Sequence, residues 1–228
     1  MPESADKLLK GVLAAPFSIG EIRVEKREGA GFVLSHRDDA SLDQLQTHRD
    51  AENAIEIAKY DDAGNYRPLK TAPNLRRGWR LELATVEELR RALNYFYPGR
   101  LAVFAAWKSG YLKTTALRET LDRQSGMYRV AAKISDPQIN DVVTDFCTSD
   151  SGCLRTILWT RDRNGEIAST KLPKGKFDPV VDQAAASSPP GSPPPATAAT
   201  PATVPLLCQE ACNLLVAECR KVVKDESA

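Results

Sequence analysis

Apolar side chains return every three or four residues between Ala5 and Ala14, at Leu8, Leu9, Val12 and Leu13, and Pro16 closes the run. That spacing predicts a short amphipathic helix. The period then drops to two. Residues 19–35 alternate as IGEIRVEK and GFVLSH about Glu28-Gly29-Ala30-Gly31, the pattern of a β-hairpin. After the polar residues 36–50, a helix is expected from Ala51 to Lys59, stopping before the turn formers Asp61-Asp62-Ala63-Gly64-Asn65. Trp79–Leu83 alternates again as a strand, and Thr85 with Glu88 writes a capping box for a helix reaching Phe96. Tyr95, Phe96, Tyr97 and the apolar run 101–107 read as the core of this half.

In the second half, residues 115–123 read as a helix and 127–134 as a strand. Ser135 is an N-cap followed by Asp136, Pro137 and the capping-box partner Gln138, so a helix should run from there to Phe146. Residues 154–160 and 166–172 flank Arg163-Asn164-Gly165 as a second hairpin. From Ala184 to Val204 all periodicity vanishes into Pro, Ala, Ser and Thr, a composition that predicts a disordered or polyproline spacer. Beyond Pro205, residues 209–224 are helical in pattern. The whole reads as α+β: a small mixed sheet with packed helices, plus a C-terminal helix tethered through a Pro-rich spacer. The expected division is a supporting domain over 1–110, the first part of a second domain over 111–183, a linker over 184–204, and a helix over 205–228 completing the second domain.

Composition narrows the function. The 228 residues carry 31 basic and 30 acidic side chains and a formal net charge of +1, so no overall field recruits nucleic acid or an anionic membrane. The first residues lack the basic start and apolar run of a signal peptide, and no 18-residue apolar stretch exists. A soluble cytoplasmic protein is expected. His36 and His48 lie near neither a cysteine nor each other in sequence, and both read as solvated loop residues.

All five cysteines fall between Cys147 and Cys219: C-x5-C at Cys147 and Cys153, C-x3-C at Cys208 and Cys212, then Cys219. In a reducing compartment such thiols are ligands, redox centres or core residues rather than disulfide partners. Two close pairs separated by a stretch that can loop out allow four thiolates to meet at one centre, and soft thiolate ligands select zinc or an iron-sulfur cluster. Loop closure costs entropy only logarithmically, so the long spacer is no obstacle. If the C-terminal helix began at Cys208, Cys212 would sit one turn on, about 6 Å away, and Cys219 about 10 Å further, too far for the same centre. Cys219 then reads as a core thiol. A helix N-terminus favours the thiolate form, whereas Glu210 between the pair opposes it, and the sequence offers no reason for that acid beyond its preference for a first helical turn.

The segments DFCTSDSGCLRTILW and VPLLCQEACNLLVAECR resemble the four-cysteine iron-sulfur domain at the C-terminus of sirohydrochlorin cobaltochelatase-like proteins. KYDDAGNYRPLKTAPNLRRGW is similar to the supporting domain that precedes it, and the resemblance spans residues 50 to 222 apart from the Pro-rich insert. It implies a [4Fe-4S] cluster with Cys147, Cys153, Cys208 and Cys212 as ligands. It also implies an electron-transfer or redox-sensing accessory role linked to tetrapyrrole or cobalamin metabolism, beside a chelatase-like enzyme or another redox partner. Nothing here resembles the chelatase domains, so chelatase activity is not implied. The spacing departs from the compact C-x2-C-x2-C-x3-C run of ferredoxins.

Two other readings compete. A structural zinc site with an interaction role would use the same thiolates, although zinc knuckles place two to four residues between cysteines and C-x5-C fits that poorly. A cysteine-nucleophile enzyme needs a base, and neither histidine sits in a nucleophile motif. A separate candidate is the loop bearing Arg67, Arg76, Arg77 and Arg80, where an anion such as a carboxylate-rich tetrapyrrole, a phosphate or an acidic partner could dock. Against it stands a solvated basic loop paired with acids such as Asp61 and Asp62.

Overall fold

The computed structural model describes residues 5–39, 42, 44–109, 111, 117–123, 130–147, 153–157 and 202–226. Its first half is built on one mixed sheet in the order β4-β5-β3-β2-β1-β7. The strands are β1 (Phe17–Ile19), β2 (Ile22–Lys26), β3 (Phe32–His36), β4 (Gln46–His48), β5 (Trp79–Leu83) and β7 (Ala202–Val204). β1, β2, β3 and β5 pair antiparallel; β4 and β7 join the two edges in parallel. Strict alternation sets one face. In β5 Trp79, Leu81 and Leu83 are buried while Arg80 and Glu82 face outward, and each such leucine contributes about 1.5–3 kcal/mol by leaving water.

Helices cover that buried face. α1 (Ala5–Ala14) packs on α4 (Arg100–Lys108), and α2 (Asn53–Lys59) on α3 (Val86–Phe96). The capping box at Thr85 forms as the spacing predicts, with Glu88 N donating to the threonine hydroxyl and the Glu88 carboxylate accepting from Thr85 N. α3 sends Phe96 under the sheet to stack on Trp79 with ring centres 5.1 Å apart. The predicted α1, β5 and α3 match the observed elements residue for residue.

A second apolar cluster lies in the other half. It gathers Leu117 and Leu121 of α5 (Leu117–Asp122), the turn residues Val130, Ala131 and Ile134, α6 (Asp136–Phe146), and α7 (Asn213–Asp225), which packs on α6. The expected strand over 127–134 is corrected where it is described. Val130–Ile134 is a turn, closed by Lys133 N and Ile134 N donating to Val130 O at 2.9 and 3.0 Å. Of the second hairpin, only β6 (Thr156–Ile157) is described, and its partner is β8 (Leu207–Cys208), in parallel. Its turn at 163–165 lies outside the described residues, as does most of the spacer; the stretch expected to reach Val204 ends sooner, because β7 hydrogen-bonds to β1.

β8 joins the two cores. Successive residues of a strand face opposite ways, so Leu207 enters the sheet core and Cys208 the second cluster. Among the described residues no helix is long and apolar enough to cross a membrane.

Candidate metal centre

Four of the five cysteines come to the junction of the two cores from four separate places. Cys147 caps the C-terminus of α6 with its amide bonded to Val143 O. Cys153 follows in extended chain fixed by Leu154 N donating to Thr71 O at 2.7 Å. Cys208 ends β8, and Cys212 is the N-cap of α7, where its sulfur accepts from Leu215 N at 3.4 Å. Cys208 and Cys212 are thus not neighbours on one helix, as the pattern suggested, because Pro205 and the pairing of β8 with β6 hold the chain extended through Cys208.

Cys147, Cys153 and Cys208 are buried, and Cys212 is half-buried. Burial pushes the Cys147 thiol up, and negative charge on Cys153, Cys208 and Cys212 pushes it further. Cys147 and Cys208 share the second apolar cluster, Cys212 packs against it, and Arg155 links Cys208 to the Thr71 hydroxyl beside Cys153. Metal binds thiolate rather than thiol, so loading a metal at Cys147 and Cys208, whose thiols burial pushes up, must release their protons. Among the described residues no three His, Cys, Asp or Glu side chains gather tightly enough to ligate a single ion. The donor set fits a cluster: four thiols on separate segments, one for each of four irons.

Donors surround the sulfurs. Arg155 Nη1 donates to Cys208 Sγ at 3.3 Å, Glu210 N reaches the same sulfur at 3.5 Å, and Thr71 Oγ1 lies 3.2 Å from Cys153 Sγ. Burial works against the charge on Arg155, but charge on Cys208 and a hydrogen bond to it more than offset this and hold the guanidinium above its ordinary value. Burial also raises Cys208, with Arg155 opposing. Glu210 takes Arg100 Nη2 on one oxygen and Arg155 Nη1, at 3.0 Å, on the other. Although burial disfavours its charge, Arg100 and Arg155 outweigh that and hold it below its usual range. This explains the acid between the cysteines: it links two arginines beside the sulfurs. Arg155 was missed in the sequence although it is the basic residue of Cys-Leu-Arg; Arg100 and Thr71 carried no signal, since both act from other elements.

Cys219 lies in the second core, 0% exposed. The arginine loop does not form one anion site. Arg67 is 2% exposed and turns inward, donating to the carbonyls of Ala58, Lys70 and Ala72 and to Asn74 Oδ1, beside the buried Glu21 carboxylate at 3.9 Å. Arg77 pairs with Asp38 and Asp62, each at 3.6 Å, and Arg80 with Glu82 at 3.1 Å; Arg76 is exposed, and its carbonyl accepts from Trp79 Nε1. His36 also departs from expectation. Alternation along β3 puts it on the buried face with Phe32 and Leu34, 1% exposed, with Nδ1 accepting from Asp38 N and Nε2 3.6 Å from Glu21. His48 lies half-buried in β4.

Residues 2–110 match the DR2241 stabilising domain, and residues 109–221 match a 4Fe-4S iron-sulfur cluster binding domain. The crystal structure of DR2241 from Deinococcus radiodurans superposes with a TM-score of 0.69 at 26% identity, covering 97% of this chain and 41% of that one. That protein is described as a multi-domain protein with structural similarity to chelatases and two additional novel domains. The present chain therefore spans about two-fifths of its length. No curated protein matches the chain. The cofactor is a [4Fe-4S] cluster rather than the zinc ion that the cysteine pattern also allows.

Proposed function

We propose that this chain, which belongs to the family joining a DR2241 stabilising domain to a 4Fe-4S iron-sulfur cluster binding domain, holds its cluster through Cys147, Cys153, Cys208 and Cys212. The observation that supports this is geometric: Cys147 and Cys208 share one apolar cluster with Cys212 packed against it, and Arg155 bonds both to Cys208 Sγ and to the Thr71 hydroxyl that lies on Cys153 Sγ. In this reading residues 1–110 support a cluster domain assembled from 111–183 and 205–228 across the linker 184–204.

The role is an electron-transfer or redox-sensing accessory module beside a chelatase-like enzyme of tetrapyrrole or cobalamin metabolism, in the cytoplasm. The chelatase likeness of the Deinococcus neighbour supports the tetrapyrrole link, and five unpaired thiols suit a reducing compartment. A bound cluster supplies the redox couple. The chain supplies the rest: Arg155 and Arg100 set positive charge beside the thiolates, Glu210 fixes both guanidinium groups, and Leu215 N and Glu210 N aim amides at sulfur.

Anaerobic titration of the iron-loaded protein with dithionite, followed by absorbance and electron paramagnetic resonance, tests the role. Bleaching of a broad band at about 400 nm, restored on reoxidation, is expected of a four-iron redox centre. A loaded protein that stays unreduced throughout would leave the cluster a structural part only.

A further inference from the structure

The first domain touches a proposed ligand sulfur through the Thr71 side chain. It stands in the loop between α2 and β5, 1% exposed. Its hydroxyl oxygen lies 3.0 Å from Arg155 Nε and 3.2 Å from Cys153 Sγ, and its carbonyl accepts from Leu154 N at 2.7 Å. We propose that Thr71 is a positioning residue for the cluster, donating its hydroxyl proton to Cys153 Sγ so that the first domain helps set the reduction potential of the second. This rests on the ligand assignment above.

The direction of that hydrogen bond follows from the chemistry of its neighbours. A guanidinium only donates, so the threonine oxygen must accept from Arg155 Nε. The single hydroxyl proton is left for sulfur. A ligating Cys153 is a thiolate, which can only accept. The same guanidinium donates through Nη1 to Cys208 Sγ, so Arg155 acts on one sulfur directly and on another through Thr71.

Thr71 is itself held in place. Arg67 Nη2 donates to the carbonyls of Lys70 and Ala72, the residues on either side, at 3.1 and 2.7 Å. The Arg67 guanidinium is buried against Glu21, whose carboxylate also accepts from Leu75 N at 2.9 Å and lies 3.6 Å from His36 Nε2. A continuous line therefore runs from Glu21 in the sheet turn through Arg67 to Thr71 and Cys153. A loop fixed this firmly presents its hydroxyl in one orientation, which is what a lasting hydrogen bond to a ligand sulfur needs.

An added electron increases negative charge on the ligand sulfurs, so a donor aimed at one of them favours the reduced cluster. Losing it should lower the potential. The test uses the full chain loaded anaerobically, with Thr71→Val removing the hydroxyl at constant shape, Thr71→Ala removing it with less bulk, and Thr71→Ser keeping it. In a poised redox titration, valine and alanine should cut the reduced-to-oxidised ratio about tenfold at a fixed potential, about 59 mV for a one-electron couple, while serine stays close to the parent. Loss of iron from valine and alanine with retention in serine would also support the role. Unchanged potentials in valine and alanine, or equal loss of iron from all three, would overturn it. A parent protein that loads but cannot be reduced would refute the redox reading instead.

Discussion

Replacing Arg100 by methionine tests how the C-terminal segment is held on the first domain. Arg100 is 5% exposed, and its guanidinium meets Pro98 O at 3.0 Å, Leu207 O at 2.9 Å and the Glu210 carboxylate. These contacts differ in weight. Leu207 O lies in the interior, where stranding a carbonyl costs about 1–3 kcal/mol. Glu210 is 52% exposed and keeps Arg155, so its ion pair with Arg100 is worth no more than about 1 kcal/mol. Methionine replaces most of the apolar stem, which limits the packing loss. Arg100→Met should therefore destabilise the metal-free fold by about 2–4 kcal/mol, and Glu210→Gln by about 1 kcal/mol or less. Arg100→Lys, a single ammonium without the planar fork, should recover only part of the loss. Urea denaturation followed by the far-ultraviolet helix signal measures all three. Equal costs for Arg100→Met and Glu210→Gln would refute the ranking, since the ion pair rather than the carbonyl would then carry the attachment.

The other expectations concern burial and protonation. Arg67→Met should cost about 3–5 kcal/mol, because it removes the guanidinium that faces the buried Glu21 carboxylate, whereas Arg77→Met on the surface should cost under about 1 kcal/mol; urea midpoints of the two variants compare them. Burial pushes Cys219 from 9.0 up to about 11, so the folded state holds that proton more tightly than the unfolded one. Its contribution is complete below pH 9 and is lost as pH rises towards 11, and Cys219→Ala should flatten this alkaline fall in a pH series of denaturation midpoints. Gly20→Ala should destabilise by about 2 kcal/mol or more, since Gly20 has φ +55° and a Cβ there would meet Tyr97 Oη at 2.5 Å. Thermal melting of that variant reads the loss.

Local signals were legible wherever one element decides its own fate. The capping boxes at Thr85 and Ser135 start α3 and α6 where their spacing says, and the alternation of Trp79–Leu83 makes β5. Partnership across the chain was not legible. The Val130–Ile134 segment has strand-like residues but pairs with no strand among the described residues, and it closes as a turn instead. His36 looked solvated because polar residues follow it, yet strand alternation continues one step past Leu34 and buries it. Arg67 looked like part of a basic surface, and only the fold reveals the buried Glu21 that it faces. Among the centre's residues, the cysteine pairs stand in the sequence; Arg155 was missed although it stands two residues after Cys153, and Thr71 and Arg100 take part through β8, α4 and a loop whose meeting no local pattern records.

The central claim is that Cys147, Cys153, Cys208 and Cys212 hold one cluster and Cys219 does not. Iron and acid-labile sulfide, counted per chain in five single Cys→Ser variants reconstituted anaerobically beside the parent, test it most directly. The parent and Cys219→Ser should each carry about four irons and four sulfides, and the other four variants should fall well below that or lose the cluster on desalting. Full loading of Cys147→Ser or Cys208→Ser, or loss of iron from Cys219→Ser alone, would contradict the account.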